Sequence, residues 1–117
     1  MFIEEKDRME KRKFKRARFP EAVSYQLKDR NDFGGCLACD IGEDGMCLNF
    51  NDFVPIDTEV IIQIKLPQNS RVVDVTGRVI WLKQVPYSDR FQVGLQFFKN
   101  NLISQEEIRS YVKFHVS

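Results

Sequence analysis

Histidine is almost missing from this chain: His115 is the only one in 117 residues. Imidazole-based acid–base chemistry therefore has one residue to draw on, close to the end of the sequence, where a solvated or satisfied histidine is the ordinary case. No serine or cysteine lies in a nucleophile motif, and no glycine-rich loop follows a strand and opens a helix. These absences argue against an enzyme. No apolar run approaches the ~20 residues needed to span a bilayer, so membrane insertion is not expected. Cysteine is scarce, with only Cys36, Cys39 and Cys47. Cys36 and Cys39 have the two-residue spacing of metal and redox sites, yet a zinc site needs four ligands, and only Cys47 and the distant His115 could complete it. A thioredoxin-like motif would need a helix opening at the pair within a βαβ unit, which the pattern lacks. An odd number of cysteines suits a reducing compartment, where they behave as small buried hydrophobes. No metal or cofactor is expected.

What the chain does have is an ordinary globular composition, with 43% hydrophobic and 30% charged residues. Its length suits one domain with a single core that needs no disulfide or metal to hold it. Residues Met1 to Glu10 are highly charged and lack the apolar centre of a secretory signal, which predicts a cytoplasmic protein. The net charge of +1 hides an asymmetry. Residues 1–19 hold eight basic and four acidic side chains, leaving ten basic and thirteen acidic for the remainder. The basic excess centres on Lys11-Arg12-Lys13-Phe14-Lys15-Arg16-Ala17-Arg18, a run without a single carboxylate. Such a cluster repels itself unless an anion or water takes the charge. Its arginines carry more information than its lysines, because a guanidinium fork grips a phosphate or a guanine edge with two hydrogen bonds.

Residues 1–18 show no clean apolar stripe and predict a mobile basic arm, followed by a folded unit over 19–117. Val23, Tyr25 and Leu27 alternate with polar residues, as in a half-buried strand. Asn31 to Gly35 has the composition of a turn, and a second strand follows from Cys36 to Ile41. After the turn Gly42-Glu43-Asp44-Gly45 comes a short strand through Met46, Cys47 and Leu48. Thr58 to Leu66 puts Val60, Ile62, Ile64 and Leu66 on one face, and Arg71–Leu82 and Arg90–Phe98 are two more strands. Ser104-Gln105-Glu106-Glu107 is a capping box, with Ile103 and Ile108 at staple positions, so a helix is expected over about 104–115. Six short strands and one terminal helix predict an all-β fold, an antiparallel barrel with a helix packed beside it.

Two short motifs stand in a fixed order on that pattern. Arg12-Lys13-Phe14-Lys15-Arg16 has the form R-x-x-x-R, and Asp40-Ile41-Gly42-Glu43-Asp44-Gly45 closely follows D-x-S-x-x-G. Together with Gly77–Trp81 and Val93–Phe97, which look like two late strands, they make the chain from Glu10 onward resemble the PilZ family of cyclic di-GMP receptors. The resemblance implies a six-stranded β-barrel of PilZ type with a flexible N-terminal arm. It implies a ligand, cyclic di-GMP, with Arg12 and Arg16 clamping guanine edges and phosphates, and an unidentified protein effector that responds when the arm folds over. Asp40 would accept from the guanine N1 and N2 donors, and Gly45 would permit a positive φ or a close backbone approach. Lys11, Lys13, Lys15 and Arg18 would supply supporting charge.

The chain departs from the family's pattern at Gly42, which stands where the motif has serine. Loss of a hydroxyl is worth about 0.5–1.5 kcal/mol net, a several-fold to tenfold weakening rather than abolition. Arg8-Met9-Glu10-Lys11-Arg12 is also R-x-x-x-R, so the register could lie one step earlier, although the spacing to Val23 favours Arg12 and Arg16. Two other readings remain. One is a PilZ-like adaptor that has lost nucleotide binding and works through protein contacts, with Gly42 as its support. The other is a small nucleic-acid-binding barrel, for which exposed stacking aromatics would be needed. Phe91, Phe97 and Phe98 lie on strands where core packing is their expected role.

Overall fold

The computed structural model describes residues 15–28, 32–68, 70–98 and 102–115. Seven strands are formed: β1 (Arg16–Arg18), β2 (Ala22–Leu27), β3 (Asp32–Gly42), β4 (Gly45–Phe50), β5 (Glu59–Lys65), β6 (Val72–Gln84) and β7 (Phe91–Phe97). One helix, α1 (Leu102–His115), follows them. The order β3-β2-β5-β6-β7-β4 is closed by a β3–β4 pairing into a six-stranded antiparallel barrel. Closure leaves none of these six strands as an open edge, which is how small β proteins avoid edge-to-edge association.

Two-residue periodicity fills the interior. Val60, Ile62 and Ile64 of β5, with Leu66 just beyond it, are fully buried, as their alternation requires. Met46, Leu48 and Phe50 of β4 and Val93 and Leu95 of β7 face them from the opposite wall. The helix adds Ile108, Tyr111 and Val112 to the same core, and Tyr111 meets Phe19 edge-on with ring centroids 5.2 Å apart.

The structure corrects the sequence reading in three places. Asp32–Gly35 is strand rather than turn: β3 begins at Asp32, and Gly34 pairs with Tyr25 in the β2–β3 ladder, while Asn31 lies outside the described residues. A Cβ on Gly34 would lie 2.8 Å from the Tyr25 hydroxyl. Glycine is needed there to admit an aromatic ring rather than to reverse the chain. The basic segment, read as an arm up to Arg18, contributes Arg16–Arg18 as β1, paired antiparallel with Asp40–Gly42. Residues 1–14 of that segment lie outside the described residues. The helix begins two residues before the supposed cap, at Leu102. Ser104 is therefore inside it, and its hydroxyl donates to the backbone oxygen of Asp74 at 3.1 Å. A side chain that looked like a cap ties the helix to β6 instead.

Candidate functional site

The site grows from the hairpin of β3 and β4. Its turn is Glu43-Asp44, bounded by Gly42 and Gly45, and no described glycine has a positive φ. Close approach explains both glycines. A Cβ on Gly45 would sit 2.0 Å from the Leu95 carbonyl oxygen of β7. The Phe97 N–H donates to the Asp44 carbonyl at 2.8 Å, so the turn is pressed onto β7. A Cβ on Gly42 would lie 2.6 Å from Cδ of Arg16 and 2.8 Å from the Lys15 carbonyl oxygen.

Arg16 uses the room that Gly42 leaves. In the ladder it faces Gly42, while Arg18 faces Asp40. The ion pair nevertheless runs diagonally: Nη1 of Arg16 donates to Oδ1 of Asp40 at 3.0 Å. Its Nε lies 3.5 Å from Oδ1 of Asp44. Those two atoms are buried, and neither has a hydrogen-bond partner among the described residues. The guanidinium thus lies along the turn from Gly42 to Gly45, with only 15% of its side chain exposed. Charge attraction is satisfied there, but directional bonding is not.

The helix fastens this corner from outside. Glu43, buried in the turn, is ion-paired with Arg109 of α1. The Tyr111 hydroxyl donates to the Arg18 carbonyl at 2.9 Å. Burial, and then the nearby Glu21 carboxylate, raise the pKa of Tyr111, so it remains a neutral donor. Both halves of the site, β1 and the hairpin turn, are therefore held by one turn of α1.

Of the residues singled out by sequence, the structure brings together Arg16, Asp40, Gly42 and Gly45. Lys15 and Arg18 flank them with exposed side chains. Lys11, Arg12 and Lys13 lie outside the described residues. Asp44, Glu43, Arg109 and Tyr111 were missed. Two additional carboxylates in the turn that faces a cationic segment were a usable signal for Asp44 and Glu43. Nothing local marks Arg109, which reaches Glu43 across 66 positions. Among the expected core aromatics, Phe91 is half-buried and packs edge-on with Phe53, and Phe97 packs against the core. Phe98 is 37% exposed. No described helix is long and apolar enough to cross a membrane.

Comparison with known proteins places this architecture. The PilZ domain profile matches residues 10–114. Among solved structures, the chain is similar to the inhibitor of motility MotI/DgrA of Bacillus subtilis, with a TM-score of 0.71 and 15% identity over 89% of this chain and 50% of that one. It is similar to the PilZ domain of Escherichia coli YcgR, solved with c-di-GMP, with a TM-score of 0.68 and 13% identity over 89% of each chain. The PlzA protein of Borreliella burgdorferi, also in complex with c-di-GMP, gives 0.64 and 14% identity over 94% of this chain and 44% of that one. The chain thus spans about half the length of two of these three proteins. No curated protein matches it in sequence.

Proposed function

Because the chain belongs to the PilZ domain family, we propose that it is a cyclic di-GMP receptor or adaptor domain rather than an enzyme, with the β1–hairpin corner as its nucleotide site. The observation that carries this reading is the pair of buried atoms without hydrogen-bond partners, Nε of Arg16 and Oδ1 of Asp44. They face each other at 3.5 Å, so their charges are balanced while no hydrogen bond is made between them. Cyclic di-GMP offers the complementary groups: guanine N1–H and N2–H donors for a carboxylate, and O6, N7 and phosphate oxygens for a guanidinium. Asp40 and Asp44 take the first role and Arg16 the second. Arg12 supplies a second guanidinium, with Lys11, Lys13, Lys15 and Arg18 adding favourable charge.

Gly42 fits this site in its own way. It gives up the motif's serine hydroxyl, and in exchange β1 and the Arg16 side chain lie directly against the turn. The ligand then acts by re-partnering Arg16. Residues 1–18 work as a switch segment on the barrel formed by 19–117, and the altered surface engages a protein effector. Calorimetric titration with cyclic di-GMP tests this: saturable binding is expected, and no heat at high micromolar ligand overturns it. The rival adaptor reading, without nucleotide, draws on the Arg16–Asp40 pair, which already satisfies part of the site internally. The same titration separates the two.

A further inference from the structure

The three cysteines take no part in the nucleotide site, yet one of them has unusual surroundings. Three donors converge on Sγ of Cys39: the Cys47 thiol at 3.1 Å, Nδ2 of Asn49 at 3.2 Å and Nε2 of Gln92 at 3.7 Å. They come from two neighbouring strands, β4 and β7, which pair Asn49 with Gln92 directly. These contacts set the Cys39 sulfur directly against the Cys47 thiol, and in thiol chemistry it is the deprotonated sulfur that attacks. Cys39 is half-buried, whereas Cys47 is buried.

Backbone geometry decides which thiols can join. Cys36 and Cys39 are three apart on one strand, so their side chains leave opposite faces of β3. Cys36 faces inward and packs against the core. The C-x-x-C spacing, which on a helix or in a loop would bring two sulfurs together, keeps them apart here. Cys39 sits instead at the irregularity in the β3–β4 ladder, between the pairs Ala38↔Leu48 and Asp40↔Cys47. Cys39 has no register partner there, since Cys47 pairs with Asp40, but its Sγ lies 3.1 Å from that of Cys47, which puts the two thiols within reach of each other. Burial first, and then the charge on Cys39, push the Cys36 thiol up to about 12. Burial, followed by the hydrogen bond to Cys39, raises the Cys47 pKa as well. Cys36 and Cys47 thus stay protonated at neutral pH.

We propose that Cys39 is a peroxide-reactive thiol with Cys47 as its resolving partner, a modification site that adjoins the nucleotide corner at Asp40 but shares none of its residues. The Cys39 thiolate attacks the distal oxygen of a hydroperoxide, the O–O bond breaks, and the alkoxide leaves and takes up a proton. Cys39 is then a sulfenic acid. The Cys47 sulfur displaces its hydroxyl, losing its own proton, and water leaves. Two thiols and one hydroperoxide give one disulfide, one alcohol and one water, with the peroxide as oxidant.

The test is oxidation of the full chain by hydrogen peroxide, followed by intact mass and a non-reducing peptide map. The expected result is loss of two hydrogens and a Cys39–Cys47 crosslink. Cys47→Ser should leave a sulfenic acid at Cys39 that dimedone traps, and Cys36→Ser should leave the crosslink unchanged. Asn49→Leu, which removes one donor, should slow crosslinking several-fold. Three thiols still open to maleimide after peroxide treatment, a Cys36–Cys39 linkage, or equal dimedone labelling of all three cysteines would each overturn the proposal.

Discussion

Along β5 and β6 the ladder runs unbroken from Glu59↔Arg78 to Lys65↔Val72, over three isoleucine or valine side chains with no exposure at all. Where β1 meets the β3–β4 hairpin, almost every regularity is suspended. The β3–β4 register shifts at Cys39, two glycines replace side chains, and a guanidinium lies between two carboxylates with directional bonds left unmade. One wall is built for burial and the other holds groups in readiness for something else. Stability should respond to changes in the first, and binding to changes in the second.

The sharpest way to break that contrast is from the β5 side. Ile62→Ala should cost about 2–5 kcal/mol, because a fully buried side chain leaves a cavity that the closed barrel cannot collapse. Chemical denaturation should show this, while the cyclic di-GMP affinity of the folded fraction stays close to wild type. The converse is Arg16→Ala. On the proposed reading it removes charge-assisted bonds to the ligand and should weaken binding by about 2–3 kcal/mol, some thirtyfold or more, with a loss of thermal stability smaller than that of Ile62→Ala, since Asp40 and Asp44 lose their counter-charge. Lys13→Ala should weaken binding far less, since no bidentate geometry is lost. If Arg16→Ala instead unfolded the protein and left affinity intact, the division between the two walls would be wrong.

Gly42→Ser probes the border between them. The new Cβ meets Cδ of Arg16 and the Lys15 carbonyl, and the latter, as backbone, cannot swing away. β1 should loosen from β3, with amide exchange rising at Arg16–Arg18 and a stability loss of about 1 kcal/mol. The smallest effect belongs to Tyr111. Its folded-state pKa is raised, so its contribution is complete below the ordinary tyrosine value of about 10 and fades as pH climbs through the folded value. Tyr111→Phe should flatten this alkaline decline in a pH series of denaturation midpoints, and an unchanged slope would refute the assignment.

Those two regions also differ in how far the sequence revealed them. The β5 face is legible because alternation is a local property: Val60, Ile62, Ile64 and Leu66 announce their common side with no knowledge of the partner strand. Asp40, Gly42 and Gly45 were found through a motif, which conveys spacing but not contact. It could not tell that Gly45 is required by the Leu95 carbonyl, or that no positive φ is involved. Gly34 misled for a related reason. A glycine demanded by a cross-strand ring looks, in one dimension, the same as a glycine demanded by a turn. Ser104 began a sound capping pattern, but a hydroxyl that finds a carbonyl on β6 no longer marks the helix start. Arg109 and Glu43 carry no local sign of each other, since only the finished fold makes them neighbours.

The fastening of this corner by α1 has a consequence for the order in which the molecule is made. Arg18 and the Tyr111 hydroxyl that secures its carbonyl are separated by 93 positions. A ribosome releases β1 and the hairpin early, at a stage when nothing exists to hold them. Contacts this distant in sequence also form late in folding, because the long intervening loop must close first. The nascent barrel can therefore close and bury its aliphatic wall before its charged corner is locked. The β1–hairpin corner is secured only once α1 has docked, through the Tyr111 hydroxyl on the Arg18 carbonyl and the Arg109–Glu43 ion pair.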